Sequence, residues 1–156
     1  MGIDWTRTSL FAQGTLFIYY QIIEWVDLFP WNDIRRGNGQ ASLDFMVAAV
    51  LIVLIMGTWR RLRWLMAAGV GLYGLWAWLQ IDSWWIPYFQ GASPAWKRTY
   101  DRFFGETIKF LQSDGVHLPP DMCHVVLQIF ILAALITSAL AVLQLFSTPG
   151  IVRKDR

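Results

Sequence analysis

From Met122 to Phe146 the chain reads MCHVVLQIFILAALITSALAVLQLF, with no Asp, Glu, Lys or Arg at any position. As a helix this run is about 37 Å long, enough to cross the roughly 30 Å hydrocarbon core of a bilayer. Pro119 and Pro120 precede it, as proline does at a helix start, and Asp121 suits the positive end of the helix dipole. Pro149 and Gly150 follow it as stop signals. The run predicts a spanning helix over about 120–146.

The rest of the chain has the same character. Of its 156 residues 56% are hydrophobic and 15% charged, whereas a soluble domain carries about 25% charge. Three further spans are predicted, at about 9–28, 45–59 and 62–81, the last with room to extend toward Tyr88. The segment over 45–59 holds no charged residue, and Asp44 and Arg60 flank it. The first segment is more polar, with Gln13, Gln21, Glu24 and Asp27. A cleavable signal peptide would need a basic start, a clean apolar centre and a small-residue cleavage site. Only Arg7 precedes this segment and two carboxylates lie within it, so it reads as a retained span. Four spans nearly exhaust the chain and leave no room for a separate catalytic domain. A net charge of +2 gives no basis for a nucleic-acid partner, and Cys123, the only cysteine, excludes an internal disulfide.

Lys and Arg set the expected orientation. With four spans both termini share one side, which holds Arg7, Arg60, Arg61, Arg63, Arg153, Lys154 and Arg156 against Asp4 and Asp155. The other side holds six basic and nine acidic residues. The short Arg60–Arg63 loop decides the matter: both termini are expected to be cytoplasmic, in a plasma membrane of the bacterial inner-membrane kind.

Between the third and fourth spans, about 94–112, the segment PAWKRTYDRFFGETIKFLQ puts Trp96, Tyr100, Phe103, Phe104, Ile108 and Leu111 on one helical face. Lys97, Arg98, Asp101, Arg102, Glu106 and Lys109 fall on the other. Ser93 and Pro94 suit an N-cap and a first helical position. The segment is too charged to span. Its aromatic face fits either the headgroup boundary or the mouth of the bundle.

The fold class is therefore an all-α integral membrane protein, a four-helix transmembrane bundle with an outer amphipathic helix. Gly69-Val70-Gly71-Leu72-Tyr73-Gly74 spells a dinucleotide-binding pattern, but that pattern works only between a strand and a helix. Mid-span, Ala67, Gly71 and Gly74 read instead as a small-residue stripe for helix packing. Met1-Gly2 with Thr6 matches a myristoylation pattern, and one acyl chain adds little to four spans.

The ionisable residues carry the functional expectation. Glu24 and Asp27 lie three apart on one helical face, either functional or paired at the interface with Arg35 or Arg36. Asp82 ends the third span at the same level, and His124 begins the fourth, with Gln128 one turn below it. Glu24, Asp27, Asp82, His124 and Gln128 are thus the candidates for handling a ligand or protons in an outer pocket roofed by the amphipathic segment. Cys123 and His124 are adjacent and diverge by about 100° on a helix. Asp121, Met122, Cys123 and His124 are all metal-ligand residue types, but no recognised ligand spacing results. A histidine hydrogen-bonded to a carboxylate near the helix start is the favoured reading, a pair that could still shuttle protons, and no metal or cofactor is expected. No catalytic signature stands out. The first functional expectation is a non-enzymatic accessory or interaction subunit of a membrane complex, with a membrane-protein partner or further copies of itself. An oligomeric ion, proton or small-solute transporter and a membrane-embedded enzyme on a lipid or small substrate are the alternatives.

Overall fold

A computed structural model describes residues 2–34 and 41–147, with the side chains of 41 and 42 left aside. Arg35, Arg36, the closing Pro149-Gly150 and the basic residues Arg153, Lys154 and Arg156 lie outside the described residues. The order is α1 Trp5–Trp25, α2 Ala41–Trp59, α3 Arg63–Gln80, a π-helical segment Ile81–Trp85, α4 Ile86–Gln90, α5 Pro94–Phe103 and α6 Met122–Ser147. The architecture is all-helical. Lys109 and Asp121 meet in an isolated antiparallel bridge, and no strand forms among the described residues.

Local chemistry starts and stops these helices. Asp4 caps α1, its carboxylate accepting from the backbone N–H groups of Thr6 and Arg7. At the other end of α1, Asn32 donates to the carbonyls of Ile23 and Val26 at 2.6 and 3.0 Å, satisfying oxygens the helix leaves open. Arg61, in the left-handed region at φ 54, turns α2 into α3, and the Leu62 N–H closes the turn on the Gly57 carbonyl at 2.9 Å. Gly57 is needed there, because a Cβ would lie 2.5 Å from Leu65 Cδ2.

α1 and α6 form the centre, with α2 against α1 and α3 against α6. On α6 the buried positions are Cys123, Leu127, Ile131, Ala134, Ser138 and Ala141, at steps of three and four. Cys123, Leu127, Ile131 and Ala134 share a core with Leu16, Tyr20 and Ile23 of α1, Leu51 and Leu54 of α2, and Tyr73 of α3. The flanks are apolar too: Phe11, Phe45, Trp64, Ile129, Ile136 and Leu143 are all more than half exposed. Arg63–Gln90 and Met122–Ser147 are long and apolar enough to cross a membrane; Leu43–Trp59 is apolar but shorter.

Several boundaries differ from expectation, α2 starting at Ala41 and α1 ending at Trp25 among them. The third helix continues past Ile81 to Gln90. Pro87 has no N–H for the Ser83 carbonyl, and the backbone widens into the π segment just before it. α5 stops at Phe103, well short of 112, because Lys109 folds back to donate to the carbonyls of Phe104, Gly105 and Thr107. α1 begins at Trp5, where Asp4 caps it. As for the aromatic face of α5, it packs on the end of the bundle: Tyr100 is buried with Trp84 and Leu118, and Trp84 lies 5.6 Å from Trp96 and 4.9 Å from Phe104.

Of the small-residue stripe on α3, Gly74 approaches Leu135 of α6 at 4.0 Å, measured from an added Cβ. Gly71 faces open space, and it is Gly69 that lies tight against Leu54. Arg61 reaches Asp4 at 3.8 Å, and Gln144 of α6 bonds to the Ile3 carbonyl and the Trp5 N–H. The start of α1, the α2–α3 turn and the end of α6 therefore share one end of the bundle.

Candidate functional site

The opposite end holds a cavity of about 370 Å³. Its walls come from four places: Ile23 and Glu24 at the end of α1, Asn32, Asp33 and Ile34 after it, Trp96, Thr99, Phe103 and Phe104 of the α5 region, and Thr107, Asp121, Cys123 and His124 around the start of α6. Asn32 fixes the turn after α1, and the Ile108 N–H bonds to the Pro30 carbonyl at 2.9 Å, so both walls are tied to the bundle.

Asp121 organises the site. It is 1% exposed, and burying a carboxylate costs several kcal/mol unless its oxygens are satisfied. Here they are. One oxygen accepts from the Thr107 hydroxyl at 3.0 Å. The other accepts from the His124 backbone N–H at 2.8 Å and faces His124 Nδ1 at 2.7 Å. The carboxylate therefore caps α6 and orients the imidazole at once. Trp84, with its ring 4.2 Å away, and Phe104, edge-on at 5.2 Å, hold the ring in place. Nε2 of His124 has no hydrogen bond to a described residue. With Nδ1 facing a carboxylate, Nε2 is the nitrogen left to exchange a proton with the cavity.

Glu24, half-buried on the α1 wall, interacts electrostatically with His124 and makes no hydrogen bond among the described residues. The indole N–H of Trp96, which lines the cavity, is buried and also unpartnered there. Lys109 lies close enough to feel the charge of Asp121, and burial lowers the ammonium below its ordinary range against that attraction.

Of the residues singled out by sequence, Glu24 and His124 come together on this cavity. Asp27 is exposed beyond the end of α1, where it accepts from the Phe29 N–H at 3.4 Å. Asp82 is exposed on the π segment; neither lines the cavity. Gln128 is a brace rather than a wall, accepting from Trp85 Nε1 at 2.8 Å and meeting Gln80 at 3.4 Å. Arg35 and Arg36, the expected partners of Glu24 and Asp27, lie outside the described residues.

Two participants escaped the sequence reading: Thr107 and Asn32. The divergence of Cys123 and His124 holds for two helical residues alone, but Asp121 precedes the helix and folds back over its first turn. Ligand atoms of Asp121, Cys123 and His124 consequently all lie within 4.8 Å of one another. The usable signal was Asp121 with His124 three positions on, the spacing at which an N-cap side chain meets the third helical residue.

A second Asp–His pair stands outside the cavity. Asp114 accepts from the backbone N–H groups of Val116 and His117 at 2.9 and 2.7 Å and faces His117 Nδ1 at 2.6 Å. Those donors hold its carboxyl well below the usual carboxylate range.

No protein-family model, curated protein or solved structure matches the chain.

Proposed function

We propose that the chain crosses the bilayer four times with both termini cytoplasmic. In this reading it serves as a non-enzymatic accessory subunit of a membrane complex, recognising its partner at the outer pocket. The observation that carries the role is the cavity itself: Glu24 and His124, from different helices, face it with polar atoms that no described residue satisfies.

Membrane crossing is supported by the apolar flanks of all four long helices. α1 is about 32 Å long, and its polar residues Ser9 and Gln13 turn inward and bond to each other and to neighbouring helices. Orientation is supported by Arg7, Arg60, Arg61 and Arg63, which gather at the end opposite the cavity. A transport role is less well supported. Leu16, Tyr20, Leu127 and Ile131 are buried in the core and interrupt any polar route from the cavity to the far end.

Two measurements test this reading. In a Cys123→Ser background, a Thr99→Cys chain should react with a membrane-impermeant maleimide applied from outside, and an Arg61→Cys chain should not; the reverse pattern overturns the orientation. Extraction in mild detergent should recover a membrane partner at fixed stoichiometry. A chain that always purifies alone overturns the accessory role.

A further inference from the structure

We propose that Asp121, Cys123 and His124 form a three-donor site for a divalent transition metal of the zinc class, with the fourth coordination position open to the cavity. The proposal rests on the reading of the cavity as a binding site and specifies what the cavity holds.

The donor chemistry selects the metal. One carboxylate oxygen, one sulfur and one imidazole nitrogen, all within 4.8 Å, make a mixed set that suits zinc and its neighbours and does not suit calcium or magnesium, which take oxygen donors. Tetrahedral zinc with bonds of about 2.0–2.3 Å sets its donors roughly 3.3–3.7 Å apart, so the Asp121–His124 pair, now 2.7 Å apart, opens on binding while the whole set already lies within 4.8 Å. The position is preorganised. Asp121 and Cys123 are 1% and 2% exposed, and Thr107 holds the far oxygen of Asp121 at 3.0 Å.

Charge balances as well. A carboxylate and a thiolate together neutralise a divalent ion, offsetting the unfavourable field of the α6 N-terminus and of Lys109. Binding breaks the Cys123 S–H bond and forms a sulfur–metal bond, and the proton leaves to solvent. The metal also displaces the hydrogen bond now shared by His124 Nδ1 and Asp121. Three protein donors with one open position is the arrangement of zinc sites that accept an external ligand. Here the open position faces Glu24 and the Trp96 indole across the cavity.

Cobalt(II) titrated into the chelator-stripped full-length chain in mild detergent tests the proposal. One cobalt per chain should bind, with a thiolate-to-metal charge-transfer band, and zinc should displace it. Zinc should also shield Cys123 of the unmutated chain from alkylation, a readout that needs no variant. Cys123→Ser should remove the band, and both Cys123→Ser and His124→Gln should weaken zinc binding by at least about tenfold, since loss of even an orienting partner costs 10–100-fold. Asp82→Asn, on the exposed π segment, should change nothing. No charge-transfer band together with no shielding, or unchanged zinc affinity in Cys123→Ser, overturns the metal site. If partner recovery persists in either case, the metal site alone falls; failure to recover any partner with the unmutated chain overturns the accessory reading, whatever cobalt does.

Discussion

Two polar clusters occupy opposite ends of one bundle and are built on opposite principles. At the end shared by the chain's start and the α2–α3 turn, the Gln13 amide donates to the hydroxyls of Ser9, Thr58 and Ser138 at 2.9–3.0 Å. Ser9 and Ser138 bond to each other at 3.0 Å, and Thr58 returns a bond to the Gln13 carbonyl oxygen at 3.3 Å. Every member is buried, and α1, α2 and α6 are locked together. At the other end Asp121 is equally buried and equally satisfied. Its neighbours are not: no described residue satisfies His124 Nε2, the Glu24 carboxylate or the Trp96 indole N–H, which face the cavity. A polar network that closes on itself specifies a structure, and one left open has capacity for a ligand.

The contrast breaks most visibly at Gln13. Gln13→Ala removes a buried side chain and leaves three hydroxyls short of a donor, and stability should fall by about 2–4 kcal/mol. Thermal unfolding in detergent followed by circular dichroism measures it; a change below about 1 kcal/mol would mean that the cluster is not a lock. Thr107→Val is the next largest. It takes a donor from the buried Asp121 carboxylate and should cost about 1–3 kcal/mol in the same assay, while leaving the Gln13 lock intact.

Glu24→Gln should move stability by less than about 0.5 kcal/mol, because no bond to a described residue is lost. A large loss would place Glu24 with Gln13 as a structural residue and erase the difference between the two ends. The smallest effect belongs to Asp114. Its folded carboxyl titrates below the unfolded value of about 3.9, so its contribution is fully present above that pH and is lost as pH falls through the lower folded value. Exchange protection of the Val116 and His117 amides should stay flat from neutrality to about pH 4 and decline below it. Asp114→Asn should abolish that acid-side decline.

The two ends were not equally legible. Long apolar runs announce α2 and α6 without knowledge of their neighbours, and Ser93-Pro94 announces the start of α5. The end of α5 depends on Lys109, a contact that exists only once the loop has folded back. The third helix was placed to about Ile81 with an extension toward Tyr88 left open, and Trp84, packed under α5, lies in that extension. Counting depth along the spans brought Glu24 and His124 to one level, which is why that pair was readable. Helical angles kept Cys123 and His124 apart, and Asp121, one residue outside the helix, is what joins them. The Gln13 lock was half visible: Gln13 stands out as a polar residue within the first span, whereas its partners Thr58 and Ser138 are set by helix packing.

The most direct measurement compares partner recovery from mild detergent by the unmutated chain and by His124→Gln, each first shown to be monodisperse and helical. The account predicts that His124→Gln stays folded, with the Gln13 lock untouched, and loses its partner. A folded His124→Gln chain that recovers the partner at unchanged stoichiometry would contradict it.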